Sequence, residues 1–199
     1  MPFNLQAAYN YIEAWCNSPN ARYSQSYRNM MTVDGLTYFD CSSLIFFGLW
    51  QGGGFDVGAY GWPTNLYWYT NPNWQTGEYA NAWTVQTMEP VLVDAGWVDV
   101  RTDLPSDWLP GDILIKYNQW HTEMVYSGEP NLMQMGARNS SLPAADQVAI
   151  HTLYTGYYDR ILRDPTQPAP TPGPGPHPGP SLRMPIWLLK RAKEVHGLS

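Results

Sequence analysis

The stretch that decides the fold is an acidic residue and a cysteine followed by an apolar run: Tyr38-Phe39-Asp40-Cys41-Ser42-Ser43-Leu44-Ile45-Phe46-Phe47-Gly48-Leu49-Trp50. The run is long enough for a buried helix, and the glycines at 52–54 end it. A helix N-terminus carries partial positive charge, which favours a thiolate over a thiol. Cys41 is therefore a candidate nucleophile, although a lone cysteine in an apolar helix is more often a core residue.

Upstream of this stretch the sequence predicts one helix and one loop. Apolar residues recur at helical spacing from Leu5 to Cys16, so Cys16 should be a small buried hydrophobe. Residues 22–36 are polar and rich in Tyr, Ser and Asn, and we expect a long loop there.

Downstream, residues 55–80 form an aromatic insertion, and a second helix is predicted from Thr84 to Ala95 despite Pro90. Leu109-Pro110-Gly111-Asp112 is a predicted turn. Strands are predicted at 97–100, 113–117, 120–126, 132–136 and 148–151. Helices followed by antiparallel strands predict an α+β domain.

The composition excludes some classes of function. The formal net charge of −6 argues against a nucleic-acid partner. No apolar run is long enough for a transmembrane helix, and the N-terminus lacks the features of a secretory signal peptide. Two cysteines and four scattered histidines do not form a zinc pattern, so we expect no metal and no cofactor. Ten Trp and fourteen Tyr suit either core packing or grooves that bind sugars and peptides.

A nucleophilic cysteine needs a base, and His121 is the best candidate by elimination. Two other histidines, His177 and His196, lie in a Pro-rich segment and at the C-terminus, and His151 has no supporting pattern. The backbone N–H groups of Ser42 and Ser43 are placed to receive an oxyanion.

The residue that orients the imidazole has two candidates. Glu123 shares a strand face with His121, because side chains two apart point the same way. Gln134 would face His121 if a two-residue turn at Ser127-Gly128 joined the strands, although Pro130 makes that pairing imperfect. We favour Gln134 as the third catalytic residue.

Three motifs in this order resemble the bacteriophage peptidoglycan hydrolases, the amidase-type lysins allied to the NlpC-type and CHAP-type papain-like cysteine peptidases. The first joins Tyr23–Arg28 to the Asp-Cys-Ser stretch at Asp40–Ser42, the second is the Pro-Gly-Asp turn, and the third is His121–Tyr126 with Leu132–Gly136 after it. Asp-Cys-Ser alone is a weak motif, and Glu123 stands where relatives commonly have a small residue. The resemblance covers roughly residues 5–163.

The resemblance implies a papain-like domain, with N-terminal helices packed on an antiparallel sheet, that cuts an amide bond of bacterial peptidoglycan. Cys41 would attack and His121 would protonate the leaving amine. Asp40 matches a residue that receives a free amino group of the stem peptide, which favours a stem-peptide endopeptidase, whereas family kinship favours an N-acetylmuramoyl-L-alanine amidase. Tyr23 and Ser24 match residues that line the site, and Ser42 joins them as a candidate substrate contact. Such an enzyme would be made in the host cytoplasm and released to the wall.

The composition changes at Asp164, which predicts three parts: a catalytic domain over 1–164, a Pro/Gly-rich linker over 165–181 and a short basic amphipathic tail over 182–199. The tail is either frayed or in weak contact with anionic membrane or wall polymers.

Two other functions fit the residues. One is a papain-like deamidase or acyl-transferase toxin, which would use the same Cys–His pair. The other is a non-catalytic cell-wall carbohydrate-binding module built on the aromatic insertion, whose binding would survive loss of Cys41.

Overall fold

A computed structural model describes residues 2–62, 64, 83–100 and 107–172. Most of the predicted aromatic insertion, the second half of the predicted linker and the whole of the predicted tail lie outside these residues. No helix of the described segments is long and apolar enough to cross a membrane.

The first helix, α1, spans Leu5–Cys16, as its apolar spacing predicts. Asn4 caps it, since its side chain accepts a hydrogen bond from the Ala7 amide at 2.9 Å. One face is buried, and it includes Tyr9, Ile12 and Cys16. Cys16 is thus a free, buried thiol, as predicted.

The second helix, α2, spans Cys41–Phe47, and all seven of its residues are buried. The chain continues through one π-helical turn, Gly48–Gly52, that packs against α1. A Cβ atom on Gly48 would lie 2.3 Å from Cγ1 of Ile12, so glycine is what allows this close approach. The third helix, α3, spans Val85–Asp94 and begins at a capping box between Thr84 and Thr87.

A small sheet precedes α2. It contains β1 (Ala21–Tyr23), β2 (Met31–Val33) and β3 (Leu36–Phe39) in the order β1-β3-β2, with β1 parallel and β2 antiparallel to β3. The prediction of one long loop over 22–36 is therefore wrong. Strands of three residues are too short to show alternation in the sequence, and here pairing with β3 defines them.

The large sheet has six strands in the order β4-β9-β5-β6-β7-β8, all antiparallel to their neighbours. They are β4 (Val98–Asp99), β5 (Ile113–Lys116), β6 (His121–Ser127), β7 (Met133–Ala137), β8 (Val148–Thr152) and β9 (Arg160–Arg163). The α+β class is confirmed. Strand β9 was not predicted, because two apolar residues between two arginines are too short a run to indicate a strand.

The main core lies where α1 and α2 pack on this sheet. Aromatic rings extend it: Trp83 lies 5.1 Å from Phe46 and 4.8 Å from Trp62 between ring centroids. The described start of the aromatic insertion therefore contributes to the core, since Phe55 is also buried. A smaller cluster around Trp108, Leu114 and Val125 forms a second core.

The first residues of the predicted linker pack on the domain. The Gln6 side chain exchanges two hydrogen bonds with the backbone of Thr171, accepting at 2.7 Å and donating at 3.2 Å. Pro170 is buried against Gly111, which has a φ of 90° in the turn before β5. A Cβ on Gly111 would lie 2.8 Å from Cδ of Pro170, so both the φ angle and this contact require glycine.

Candidate active site

Cys41 is the first residue of α2, and its helix is held in place by a buried ion pair. Asp40 caps the helix through Oδ1, which accepts from the Ser43 amide at 2.7 Å. Asp40 Oδ2 lies 3.0 Å from Nε of Arg28, and both side chains are at most 10% exposed. The position of Cys41 is therefore fixed by a capped and anchored first turn.

This geometry corrects two expectations. Asp40 does not present a free carboxylate to an amino group of a substrate, because Arg28 and the first turn of α2 already occupy it. The Ser43 amide is not available to an oxyanion, because it is bonded to Asp40. The Cys41 and Ser42 amides are the first-turn N–H groups that still lack an intrahelical carbonyl by position.

Strand β6, which carries the candidate base His121, lies directly against α2 and begins beside Cys41. Cys41 Sγ donates a hydrogen bond to the carbonyl oxygen of Trp120 at 3.6 Å. The imidazole of the next residue, His121, also interacts with Cys41, which raises the pKa of that imidazole. The structure thus brings together the predicted nucleophile and the predicted base.

Glu123 holds the other side of this imidazole. Its Oε1 lies 2.8 Å from Nε2 of His121, and its Oε2 lies 2.7 Å from Nε2 of His151. The residue is 1% exposed, so two imidazoles surround a buried carboxylate. Gly136 on β7 makes room for it, since a Cβ there would lie 2.6 Å from Cγ of Glu123.

The preference for Gln134 as the partner of His121 is corrected by the register. The loop between β6 and β7 has five residues, 128–132, and not two. A register shift between Val125 and Ser127 pairs Gln134 with Val125, four residues beyond His121. Gln134 instead lies opposite His151, where its Oε1 accepts from the Tyr158 hydroxyl at 3.0 Å.

The electrostatics of the cluster favour charged forms. Burial lowers the pKa of His121, but hydrogen bonds with Cys41 and Glu123 and the charge of Glu123 outweigh it and raise that pKa to about 10. Burial raises the pKa of Glu123, but the charge of His151 and the bonds to both imidazoles outweigh it and lower that pKa well below its ordinary value. At neutral pH the base is therefore an imidazolium paired with a carboxylate.

Of the three predicted substrate contacts that remain, Tyr23 lies near Cys41, whereas Ser24 and Ser42 bond to other parts of the protein. Tyr23 is near Cys41: burial first, and then the charge of Cys41, raise the pKa of its phenol to about 12. Ser24 accepts hydrogen bonds from the amides of Ser26 and Tyr27 at 3.1 Å, which makes it a turn residue. Ser42 is 3% exposed, and its hydroxyl accepts from Arg28 at 2.8 Å, so the side chain faces inward.

Sequence reasoning missed two residues of the site. His151 lies 30 residues beyond His121 without a local motif, and only the order β6-β7-β8 brings it to Glu123. Trp120 has a left-handed φ of 47°, is 50% exposed, and places its backbone carbonyl beside the thiol. The signal that could have identified Trp120 is its place directly before the base.

Across the described segments, no three side chains of His, Cys, Asp or Glu form a group that could hold a metal ion. Comparison with protein-family models, with curated proteins and with solved structures finds no match to this chain.

Proposed function

We propose that this chain is a cysteine hydrolase that cuts an amide bond of bacterial peptidoglycan, with Cys41 as the nucleophile, His121 as the base and Glu123 as the residue that orients the imidazole. The observation that carries the proposal is the series Cys41–His121–Glu123 at the start of a buried helix, in which the imidazole interacts with Cys41 and lies 2.8 Å from the carboxylate. A nucleophile, a base and a carboxylate in this order are what acyl transfer through a covalent intermediate requires.

A papain-like arrangement of the NlpC or CHAP type is part of the same proposal. It is supported by a cysteine-bearing helix that packs on an antiparallel sheet, next to the strand that carries the histidine. The sequence resemblance to phage lysins supplies the substrate class. It also implies that the enzyme acts on the wall after release from a host cell.

The chemistry follows from the hydrogen bonds. Glu123 accepts from Nε2 of His121, which leaves Nδ1 as the nitrogen that exchanges a proton with Cys41. The thiolate attacks the amide carbon, and the negative charge that develops on the carbonyl oxygen is received at the first turn of α2, where the Cys41 amide lacks an intrahelical partner.

The imidazolium then gives its proton to the leaving amine, and the C–N bond breaks to leave a thioester on Cys41. His121, now neutral, takes a proton from water, and the resulting hydroxide attacks the thioester carbon. Cleavage of the C–S bond releases the acid and restores the thiolate–imidazolium pair.

Burial of Asp40 bears on which amide bond is cut. The argument for a stem-peptide endopeptidase rested on Asp40 binding a free amino group, and that carboxylate is engaged by Arg28. The remaining argument is family kinship, which favours cleavage between the lactyl group of the sugar and L-Ala. The proposed activity is therefore an N-acetylmuramoyl-L-alanine amidase, with the endopeptidase as the alternative bond.

The test is the release of fragments from purified cell walls of several Gram-positive species, with mass spectrometry of the products. We expect the wild-type protein and Cys16→Ala to release the same fragments and Cys41→Ala to release none. The fragments identify the bond, since an amidase exposes a new N-terminal L-Ala. Equal release by Cys41→Ala would exclude the mechanism. Binding without release by any variant would favour the carbohydrate-binding module.

A further inference from the structure

We propose that His151 is a positioning residue of this site: its imidazole, bonded on one side to Glu123 and on the other to a backbone carbonyl, fixes the carboxylate that orients His121. This inference rests on the proposed function, because it assigns a role within the Cys41–His121 pair. It adds a second histidine, on another strand, to the nucleophile, base and carboxylate.

The hydrogen bonds of His151 require a proton on each ring nitrogen. Nδ1 lies 3.1 Å from the carbonyl oxygen of Thr152, and a carbonyl only accepts. Nε2 lies 2.7 Å from Oε2 of Glu123, whose pKa is lowered, so the carboxylate is ionised and also accepts. With two acceptors the ring is an imidazolium, and it forms a buried ion pair with Glu123.

This ion pair determines what Glu123 can do for His121. The two oxygens of the carboxylate are divided between the two histidines, so the bond to His151 prevents rotation of the group away from His121. The positive charge of His151 also offsets the negative charge of Glu123. Its loss would leave Cys41 and His121 in a more negative environment, which raises the pH at which each loses its proton.

Three ionisable side chains close to the pair have raised pKa values and keep their protons near neutral pH. Burial raises the pKa of the Cys16 thiol and of the Tyr158 phenol, and burial followed by the charge of Glu123 raises the pKa of Tyr157 to about 12. The Tyr154 ring lies 6.2 Å from that of His151. On the elements packed against β8, the further ionisable side chains are Tyr9, Tyr11 and Glu13 on α1, Arg22 and Tyr23 on β1, and Asp146 in the 3₁₀ turn Ala144–Asp146.

The position suits a test by substitution. Strand β8 is at one edge of the large sheet, and the His151 side chain is 13% exposed. Replacing it removes no large apolar side chain from the core and leaves Glu123 bonded to His121, so the fold should survive. The direct contacts that a substitution removes are those to Glu123 and Thr152. Nε2 of Gln134 lies 3.4 Å from Nε2 of His151, so Gln134 also borders the ring.

The experiment follows alkylation of Cys41 by iodoacetamide between pH 5 and 10 in the full chain carrying Cys16→Ala. This readout reports the thiolate and needs no wall substrate. Four substitutions are compared: His151→Gln keeps a donor for Glu123 without the charge, His151→Phe removes both, His151→Lys keeps a charge, and Ser141→Ala in the exposed turn before β8 is the control.

We expect His151→Gln to move the midpoint of alkylation upward by about one pH unit, because the charge of Glu123, 2.8 Å from His121, is then no longer offset by His151. His151→Phe should move it at least as far, His151→Lys should restore it in large part, and the control should leave it unchanged. Thermal unfolding of each variant identifies any that fails to fold, and the folded ones decide the result.

The same midpoint in the wild type and in every folded His151 variant would overturn the positioning role. A wild-type midpoint of about 8.5, the ordinary value for a cysteine, would overturn it together with the Cys41–His121 pair. If the midpoint shifts as expected but the wild type releases nothing from walls, the positioning role stands and the substrate assignment fails.

Discussion

The carbonyl oxygen of Trp120 accepts a hydrogen bond from the thiol of Cys41 at 3.6 Å, so the residue that touches the nucleophile directly precedes the base. The left-handed φ of 47° at Trp120 turns the chain between the loop after β5 and the start of β6. The carbonyl and the next imidazole therefore both reach Cys41, while half of the Trp120 side chain remains exposed.

We expect the exposed ring of Trp120 to contact substrate, because an indole offers an apolar face to sugars and peptides. Trp120→Ala should lower the rate of fragment release from walls by about tenfold at low wall concentration, the equivalent of about 1.4 kcal/mol of binding. The rate of Cys41 alkylation should not change, since the carbonyl stays. A tenfold loss of alkylation would instead indicate that the ring only shapes the backbone.

The two thiols should differ sharply in reactivity although they are similarly buried, with 4% of Cys41 and 8% of Cys16 exposed. An imidazolium lies beside Cys41, whereas burial and the nearby Glu123 carboxylate raise the pKa of Cys16. At neutral pH iodoacetamide should add once per folded chain, and peptide mapping should place the adduct on Cys41. Modification of Cys16 at a comparable rate would contradict this prediction.

Gly136→Ala should impair the site without touching any reacting group. The added Cβ would lie 2.6 Å from Cγ of Glu123, which must then move away from both histidines. We expect at least a tenfold loss of wall cleavage, the equivalent of about 1.4 kcal/mol, and slower alkylation of Cys41. Gly58→Ala is the matched control, because its Cβ would meet nothing closer than 3.1 Å.

The charges of Glu123 and His121 should make stability depend on pH. The raised pKa of His121 means that its contribution is complete below its ordinary pKa of 6.5 and is lost as the pH rises towards about 10. The lowered pKa of Glu123 means that its contribution is complete above its ordinary value of 4.5 and is lost as the pH falls. Both contribute fully between pH 4.5 and 6.5.

Glu123→Gln should therefore cost most in that range, roughly 3–5 kcal/mol of unfolding free energy, as for removal of one partner from a buried ion pair. The measurement is denaturant unfolding of both proteins at several pH values between 4 and 10. The difference between them should shrink towards pH 10, as His121 loses its proton. A difference that is constant over the whole range would contradict the ion pair.

Arg28 should be essential to the fold near Cys41. Its removal leaves the Asp40 carboxylate buried without the guanidinium 3.0 Å away, so Arg28→Gln should destabilise the protein by roughly 3–5 kcal/mol. Arg22→Gln is the control, because Arg22 donates to the backbone carbonyls of Pro19 and Ala21 near the surface. Equal thermal stability of the two variants would show that Arg28 does not anchor α2.

Local patterns predicted the elements that form the framework. Helix α1 has the predicted bounds, and β5 and β6 begin within one residue of the predicted positions. Helix α1 has apolar residues at helical spacing, and β5 is a short continuous apolar run, so both are visible in the sequence. The three-residue strands β1 and β2 carry none, and their pairing with β3 comes from tertiary structure.

The sequence also indicated that Cys41 and His121 meet at the site, but it did not decide which residue orients the imidazole. Alternation along a strand correctly placed Glu123 on the face of His121. The preference for Gln134 depended on the length of a loop, and with five loop residues Gln134 pairs with Val125 on β6 and with His151 on β8. The contact between His151 on β8 and Glu123 on β6 spans three strands, and a single sequence carries no pattern for such a contact. The sequence therefore did not identify His151 as a site residue.

The pairing of Gln6 with Thr171 matters for anyone who wishes to fuse this domain to a second protein module. A fragment cut at the compositional boundary after Asp164 would lose both the Gln6 bonds and the Pro170 contact with Gly111, beside the start of β5. A fusion joint placed after Pro172 keeps them. A portable unit should therefore extend at least to Pro172, eight residues beyond the point where the composition changes.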